Sequence, residues 1–170
     1  MKFDFRPFDL QLTRRWMISS GLGPGGGGGT NLFKVAFVEL QDADGVIGLG
    51  ETAPSSRYGE TVDSGLAFFS RLDAAKLSFD DVAGSMAYLV GVAPGQHAAK
   101  GALNIALLDG AGRKAGRPIY DVLGLGFSEN KHVTSFSIGI DKPHVIREKV
   151  REANRYPVLK LKVGGPDDRQ

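Results

Sequence analysis

The chain has 170 residues, of which 24 are Gly and none is Cys. Apolar residues make up 42% and charged residues 24%, the balance of a globular chain, and the lack of Cys excludes a disulfide framework and any Cys-ligated metal. With 21 basic against 19 acidic residues and no long basic run, composition gives no argument for nucleic acid.

The apolar stretches are short and interrupted, so no membrane span is expected. Met1-Lys2-Phe3-Asp4 lacks the apolar core of a secretory signal, and a cytoplasmic protein is the expectation. Residues 3–12 alternate apolar and polar, with Pro7 shifting the phase, which predicts an edge strand with a bend. A Gly-rich stretch from Ser19 to Thr30 follows. Gly21, Gly23 and Gly26 formally match G-x-G-x-x-G, but a strand follows rather than a helix, so a flexible hairpin loop is the plainer reading. Residues 31–40 and 46–51 read as two further strands around the turn Asp42-Ala43-Asp44-Gly45, completing an antiparallel meander.

The period then changes. Val62, Leu66, Phe69 and Leu72 stand at helical spacing, and Ser78 with Asp81 resembles a capping box opening a helix to about Leu89. Residues 96–115 form the longest helical stretch, with an apolar face of Ala98, Ala102, Leu103, Ala106 and Leu107 and a stop at Gly116. Asp109 within it is expected to be a buried acid making a structural hydrogen bond. Pro118 opens a short helix ending near Gly124. Strands first and helices second make residues 1–124 an α+β unit.

Gly124-Leu125-Gly126 reads as a linker, after which the grammar is strand (133–140), helix (142–156), strand (158–163), one βαβ unit with parallel strands. Two parallel strands and one helix cannot cover both faces of a sheet, so we expect the chain to be the first part of a longer protein. His97, His132 and His144 are scattered and read as structural or solvated. Trp16 could anchor the base of the Gly-rich loop or fill the core.

Chemistry-bearing residues gather in the two late strands. Lys160 and Lys162 share one strand face, and Ser135, Ser137 and Gly139 share a face of the other strand. Adjacent ammonium groups repel, and burial adds to the effect, so a lysine here could be lowered to roughly pKa 7–8 and serve as a general base. An exposed edge strand bearing Lys is the alternative.

Lys160-Leu161-Lys162 closing a βαβ unit, behind a meander-plus-helices domain, resembles the enolase superfamily and, within it, the muconate-lactonizing subgroup with its Lys-x-Lys motif. Gly48-Leu49-Gly50-Glu51-Thr52-Ala53-Pro54, Arg57-Tyr58-Gly59-Glu60, the stretch Ala102 to Asp109 and Gly116-Arg117-Pro118-Ile119-Tyr120 resemble that group's capping domain. Thr134 to Gly139 resembles the first barrel strand of the dipeptide epimerases. The resemblance implies an α+β capping domain (1–124) followed by the start of a (β/α) TIM-type barrel (130–170), truncated. It implies a Mg²⁺-dependent isomerase that removes the proton α to a carboxylate or carboxamide, with a dipeptide or another carboxylate as small-molecule substrate. Lys162 would be the acid/base and Lys160 its electrostatic neighbour; Ser137, Arg57 and Tyr58 would border the substrate. Residues 19–30 would be the lid, here nearly bare of contacting side chains. The metal carboxylates and a second Lys would come from later strands, so no metal ligand is expected in this chain, and Asp167 and Asp168 read as helix caps. Another cycloisomerase or dehydratase of the superfamily, a non-catalytic fragment or interaction module, and a homo-oligomer remain open; a nucleic-acid or membrane partner is not expected.

Overall fold

The computed structural model describes residues 1–19 and 28–164. Among these residues, five strands and five α-helices follow in the order β1 (Lys2–Trp16), β2 (Thr30–Gln41), β3 (Ile47–Thr52), α1 (Val62–Phe69), α2 (Val82–Val92), α3 (His97–Ala115), α4 (Ile119–Val122), β4 (Ser135–Ile138), α5 (Pro143–Glu152) and β5 (Val158–Leu161). They divide into two compact units. One holds Met1–Leu10 and Lys34–Phe127; the other holds the described residues within Gln11–Phe33 and Ser128–Gln170. Among the described residues, no helix is long and apolar enough to cross a membrane.

The first unit is an α+β layer. Its sheet has the order β1-β2-β3, with β2 and β3 antiparallel in the register Val38↔Gly50 and Leu40↔Gly48. The turn between them is closed by Asp42, whose Oδ1 accepts from the amides of Asp44 and Val46, and Gly45 supplies the positive φ of 82°. Alternation puts Ala36, Val38 and Leu40 of β2 into the core, where they meet Phe68, Phe69, Leu77, Phe79 and Leu89. The helix α3 lies on this layer with Ala99, Ala102, Leu103, Ala106 and Leu107 buried. Its small residues allow very close approach: a Cβ on Gly48 would overlap the Ala106 carbonyl oxygen, and one on Gly50 that of Ala102. Glycine is required at both positions for lack of space.

Three details differ from the sequence reading. The strand β1 does not stop at Leu12 but continues to Trp16. The cap of α2 is Asp81, whose Oδ1 accepts from Gly84 N at 2.8 Å; Ser78 instead accepts from Asp80 N, so both candidates serve as local acceptors and only Asp81 starts the helix. Asp109 does make its structural bonds, to Leu49 N and Arg113 Nε at 2.9 Å each, but its side chain is about one-third exposed (32%) rather than buried.

Near the end of α3, Lys114 Nζ reaches Asp80 at 2.7 Å and Asp42 at 3.5 Å. Burial pushes the Asp42 carboxyl up, but hydrogen bonds from Val46 N, Lys114 and Asp44 N outweigh it and hold the group below the ordinary carboxylate range. The Asp80 hydrogen bond raises the Lys114 ammonium against a smaller opposing effect of burial.

Two outcomes follow for this unit. Gly50→Ala should cost about 1–3 kcal/mol through overpacking, whereas Gly101→Ala, a helical position with open space around it, should gain about 0.5–1 kcal/mol; urea denaturation of both variants checks the contrast. The lowered Asp42 pKa means a contribution present above about pH 3.9 and lost as pH falls through the folded-state value. Asp42→Asn should therefore flatten the acid limb of the stability profile while changing its shape little from pH 5 to 8.

Candidate active site

The second unit contains a parallel pair, β4 and β5, with Ser135↔Val158, Phe136↔Leu159, Ser137↔Lys160 and Ile138↔Leu161 in register. The helix α5 connects them, as the change of period predicts. Paired residues of a parallel ladder point to the same face, so Ser137 and Lys160 stand side by side. The strand β5 ends at Leu161, one residue short of Lys162, but Lys162 N still donates to Ile138 O at 2.9 Å. The ladder thus carries one step further, and Lys162 follows Lys160 at the C-terminal end of the strand. Lys160 is exposed and Lys162 half-buried.

Behind this face, Ile138 and Ile140 are buried and Phe136 stacks on Tyr156 at 4.7 Å between ring centroids, with the Arg155 guanidinium 5.0 Å from the Tyr156 ring. Gly139 is closely covered: a Cβ there would lie 3.0 Å from Met17 O and 3.4 Å from the Trp16 ring. Ile140 N donates to Met17 O at 2.9 Å, and Arg14 pairs with Glu152 of α5. Trp16 therefore sits beside the serine-and-glycine face of β4. A cavity of about 530 Å³ in this unit is lined by Arg14, Trp16, Phe136, Ser137, Gly139 and Tyr156 among others. The first unit holds a larger depression, about 850 Å³, lined by Leu49, Ile105 and Asp109 and by none of the predicted site residues; among the described residues the titratable pair in its lining is the Asp109–Arg113 bridge, and chemistry decides against it.

The strand-to-helix junction is fixed by an ion pair that the sequence reading missed. Lys149 Nζ donates to Asp141 Oδ2 at 2.9 Å, with the lysine side chain only 8% exposed. Burial raises the Asp141 carboxyl, but the Lys149 hydrogen bond, the Lys142 amide and the charges of Lys149 and Arg15 together lower it. A lysine on the inward face of an otherwise polar helix, eight residues beyond an acid at the strand end, was the available signal.

Arg57 and Tyr58 belong to the first unit, in a single 3-10 turn, Ser56–Tyr58, bounded by the Ser55 cap and by Gly59 at φ 68°. Tyr58 is 72% exposed. Most of the Gly-rich stretch expected to be a lid, residues 20–27, and Asp167 and Asp168 lie outside the described residues. Among the described residues, no group of three or more His, Asp or Glu side chains could hold a metal ion, so a Mg²⁺ ion does not fit the side chains gathered here. His97, His132 and His144 stand in different elements.

A meander with helices, then a parallel pair presenting Ser and Lys side by side, defines an α+β domain joined to a β-α-β unit. Residues 29–124 match the mandelate racemase / muconate lactonizing enzyme N-terminal domain, and the chain belongs to that family. It is 55% identical over 169 residues to the L-Ala-D/L-amino acid epimerase of Pedosphaera parvula, covering 99% of this chain and 48% of that protein. Over 176 residues it is 33% identical to the L-Ala-D/L-Glu epimerase of Bacteroides thetaiotaomicron, covering all of this chain and 43% of that one. Its fold superimposes with a TM-score of 0.81 and 28% identity on the dipeptide epimerase of Enterococcus faecalis solved with Mg and L-Leu-L-Tyr, over 96% of this chain and 45% of that one. The chain thus spans just under half the length of the curated relatives it matches.

Lys149→Ala should leave Asp141 a half-buried carboxylate without its partner, at about 1–3 kcal/mol. Amide exchange at Ile140 and Lys162 should accelerate accordingly, and unchanged exchange there would show that the pair does not hold the junction.

Proposed function

We propose that this chain is the N-terminal part of a Mg²⁺-dependent dipeptide epimerase, with residues 1–124 as capping domain and 130–170 as the first β-α-β unit of a (β/α) barrel. The observation that carries the reading is the Ser137↔Lys160 register, with Lys162 next along the same edge at the C-terminal end of the parallel pair, the end where barrel enzymes place their chemistry. The family assignment and the likeness to dipeptide epimerases support it. An epimerase is preferred to a cycloisomerase because identity is 55% to the former and 30% to the muconate cycloisomerase 1-2 of Acinetobacter lwoffii.

In this reading, Lys162 takes the proton from the substrate α-carbon, and the electron pair moves into the adjacent carbonyl to leave an enediolate. Reprotonation on the opposite face inverts the centre, using a group outside the described residues. Lys160, one pleat earlier on the same edge, faces the substrate carboxylate as a fixed positive charge. Ser137 lines the pocket; Arg57 and Tyr58 contact the substrate from the capping domain. Mg²⁺ enters because solved epimerases carry it; its ligands are proposed to follow residue 170.

The test is deuterium incorporation from solvent at the α-carbon of L-Ala-D/L-Glu-type dipeptides. The 170-residue chain alone should show none, with or without Mg²⁺. In the longer protein, Lys162→Arg should abolish exchange, since a guanidinium does not deprotonate at working pH, and loss of a general base costs about 10²–10⁴-fold. Lys160→Arg should retain part of the activity. Near-wild-type exchange by Lys162→Arg would overturn the assignment of the base.

A further inference from the structure

The helix α3 begins without a side-chain cap of its own. Its N-cap residue, Gln96, sits in the left-handed region at φ 54° and makes no capping hydrogen bond. The first amides are instead satisfied from elsewhere: Glu60 Oε1 accepts from His97 N at 2.6 Å and Oε2 from Ala98 N at 2.9 Å. Glu60 is only 7% exposed. A carboxylate receiving two amides at a helix N-terminus combines charge-assisted bonds with a favourable helix dipole. Its backbone is held too, since Glu60 N donates to Ser55 O at 3.3 Å. Around it, Tyr58 N donates to Ser55 O, Gly59 N to Ser56 O, and Ser64 Oγ to Gln96 Oε1. The exposed Arg57-Tyr58 turn therefore hangs between a soft Ser55 cap (3.4 Å) and one strong anchor.

We propose that Glu60 is a positioning residue: its carboxylate fastens the turn carrying Arg57 and Tyr58 to the start of α3, and so sets where those two side chains stand. This rests on the reading above that Arg57 and Tyr58 meet the substrate. A glutamine keeps one acceptor but turns an NH₂ donor toward the second amide, so Glu60→Gln should lose at least one bond without removing bulk. The expected effect is local loosening rather than loss of the fold.

The experiment compares amide exchange in the wild-type chain and Glu60→Gln. Exchange at residues 58–60 and at residues 97–98 should rise together by about fivefold to tenfold, the scale of a lost helix cap, with the β2–β3 ladder unchanged. Should the variant fail to fold, exchange of the wild type in sub-denaturing urea answers the same question. Residues 58–60 and 97–98 should then open as one unit with a common denaturant slope. Acceleration at 97–98 alone, or opening of 58–60 well before 97–98, would overturn the proposal. In the longer enzyme, Glu60→Gln should raise KM for the dipeptide severalfold with kcat largely kept. A fall in kcat at constant KM would overturn positioning as the role. If Arg57→Ala and Tyr58→Ala leave both constants unchanged while Glu60→Gln still loosens the turn, the substrate-contact reading fails and the anchor stands.

Discussion

The contact on which the first unit depends is backbone against backbone. Gly48 and Gly50 of β3 present bare Cα atoms to the carbonyls of Ala106 and Ala102, and the stripe of alanines on α3 lets the helix descend onto the strand. Small residues on both sides contribute little area each, yet the closeness multiplies dispersion contacts along the whole pairing. It also places Leu103 and Leu107 deep enough to complete a core with Val38, Leu40, Phe69 and Leu89. Any bulk at the two glycines would lift the helix and open that core from above.

The helix is then secured along its length by polar bonds of different origin. Glu60 takes its first amides, Asp109 reaches across to Leu49 N at the strand edge, and Lys114 meets Asp42 and Asp80 near its end. Gly116, at φ 62°, closes it by donating to Gly112 O and Arg113 O. The side-chain bonds join α3 to different loops and strands, so the register of the helix on the sheet is set in several places. This gives the solvent-facing turns of the unit a rigid base.

How far the fold is legible from residues alone varies with range. The strands β2 and β3, the Ala-rich face of α3 and the βαβ grammar follow from period and spacing, because burial repeats along those elements. The extent of β1 does not, since Arg14 and Arg15 suit an edge strand as well as a loop. Ser78 and Asp81 are both capping types three residues apart, and only backbone geometry decides between them. The shared face of Lys160 and Lys162, and that of Ser135 and Ser137, was legible from alternation within each strand, but the adjacency of Ser137 and Lys160 needed the register between strands. Glu60 stood inside a recognised motif, yet its partners lie 37 and 38 residues away, and no local pattern encodes so distant a bond. The Lys149–Asp141 pair differs, since its partners stand only eight residues apart and the lysine lies on the inward face of α5.

The second unit is discontinuous: part of it comes from within Gln11–Phe33 and the rest from Ser128 onward, with Lys34–Phe127 between them. On a ribosome the chain emerges from its N-terminus, and domains generally fold as they appear. The first unit has all its residues once Phe127 is out. The tail of β1, with Trp16 and the carbonyl of Met17, must meanwhile wait for partners not yet synthesised. Until Gly139 and Ile140 arrive, that stretch carries an exposed indole and an unpaired strand edge, the kind of surface that invites pairing with other chains. The charged side chains of Arg14 and Arg15 beside it are well placed to keep the nascent strand apart from its neighbours during that interval.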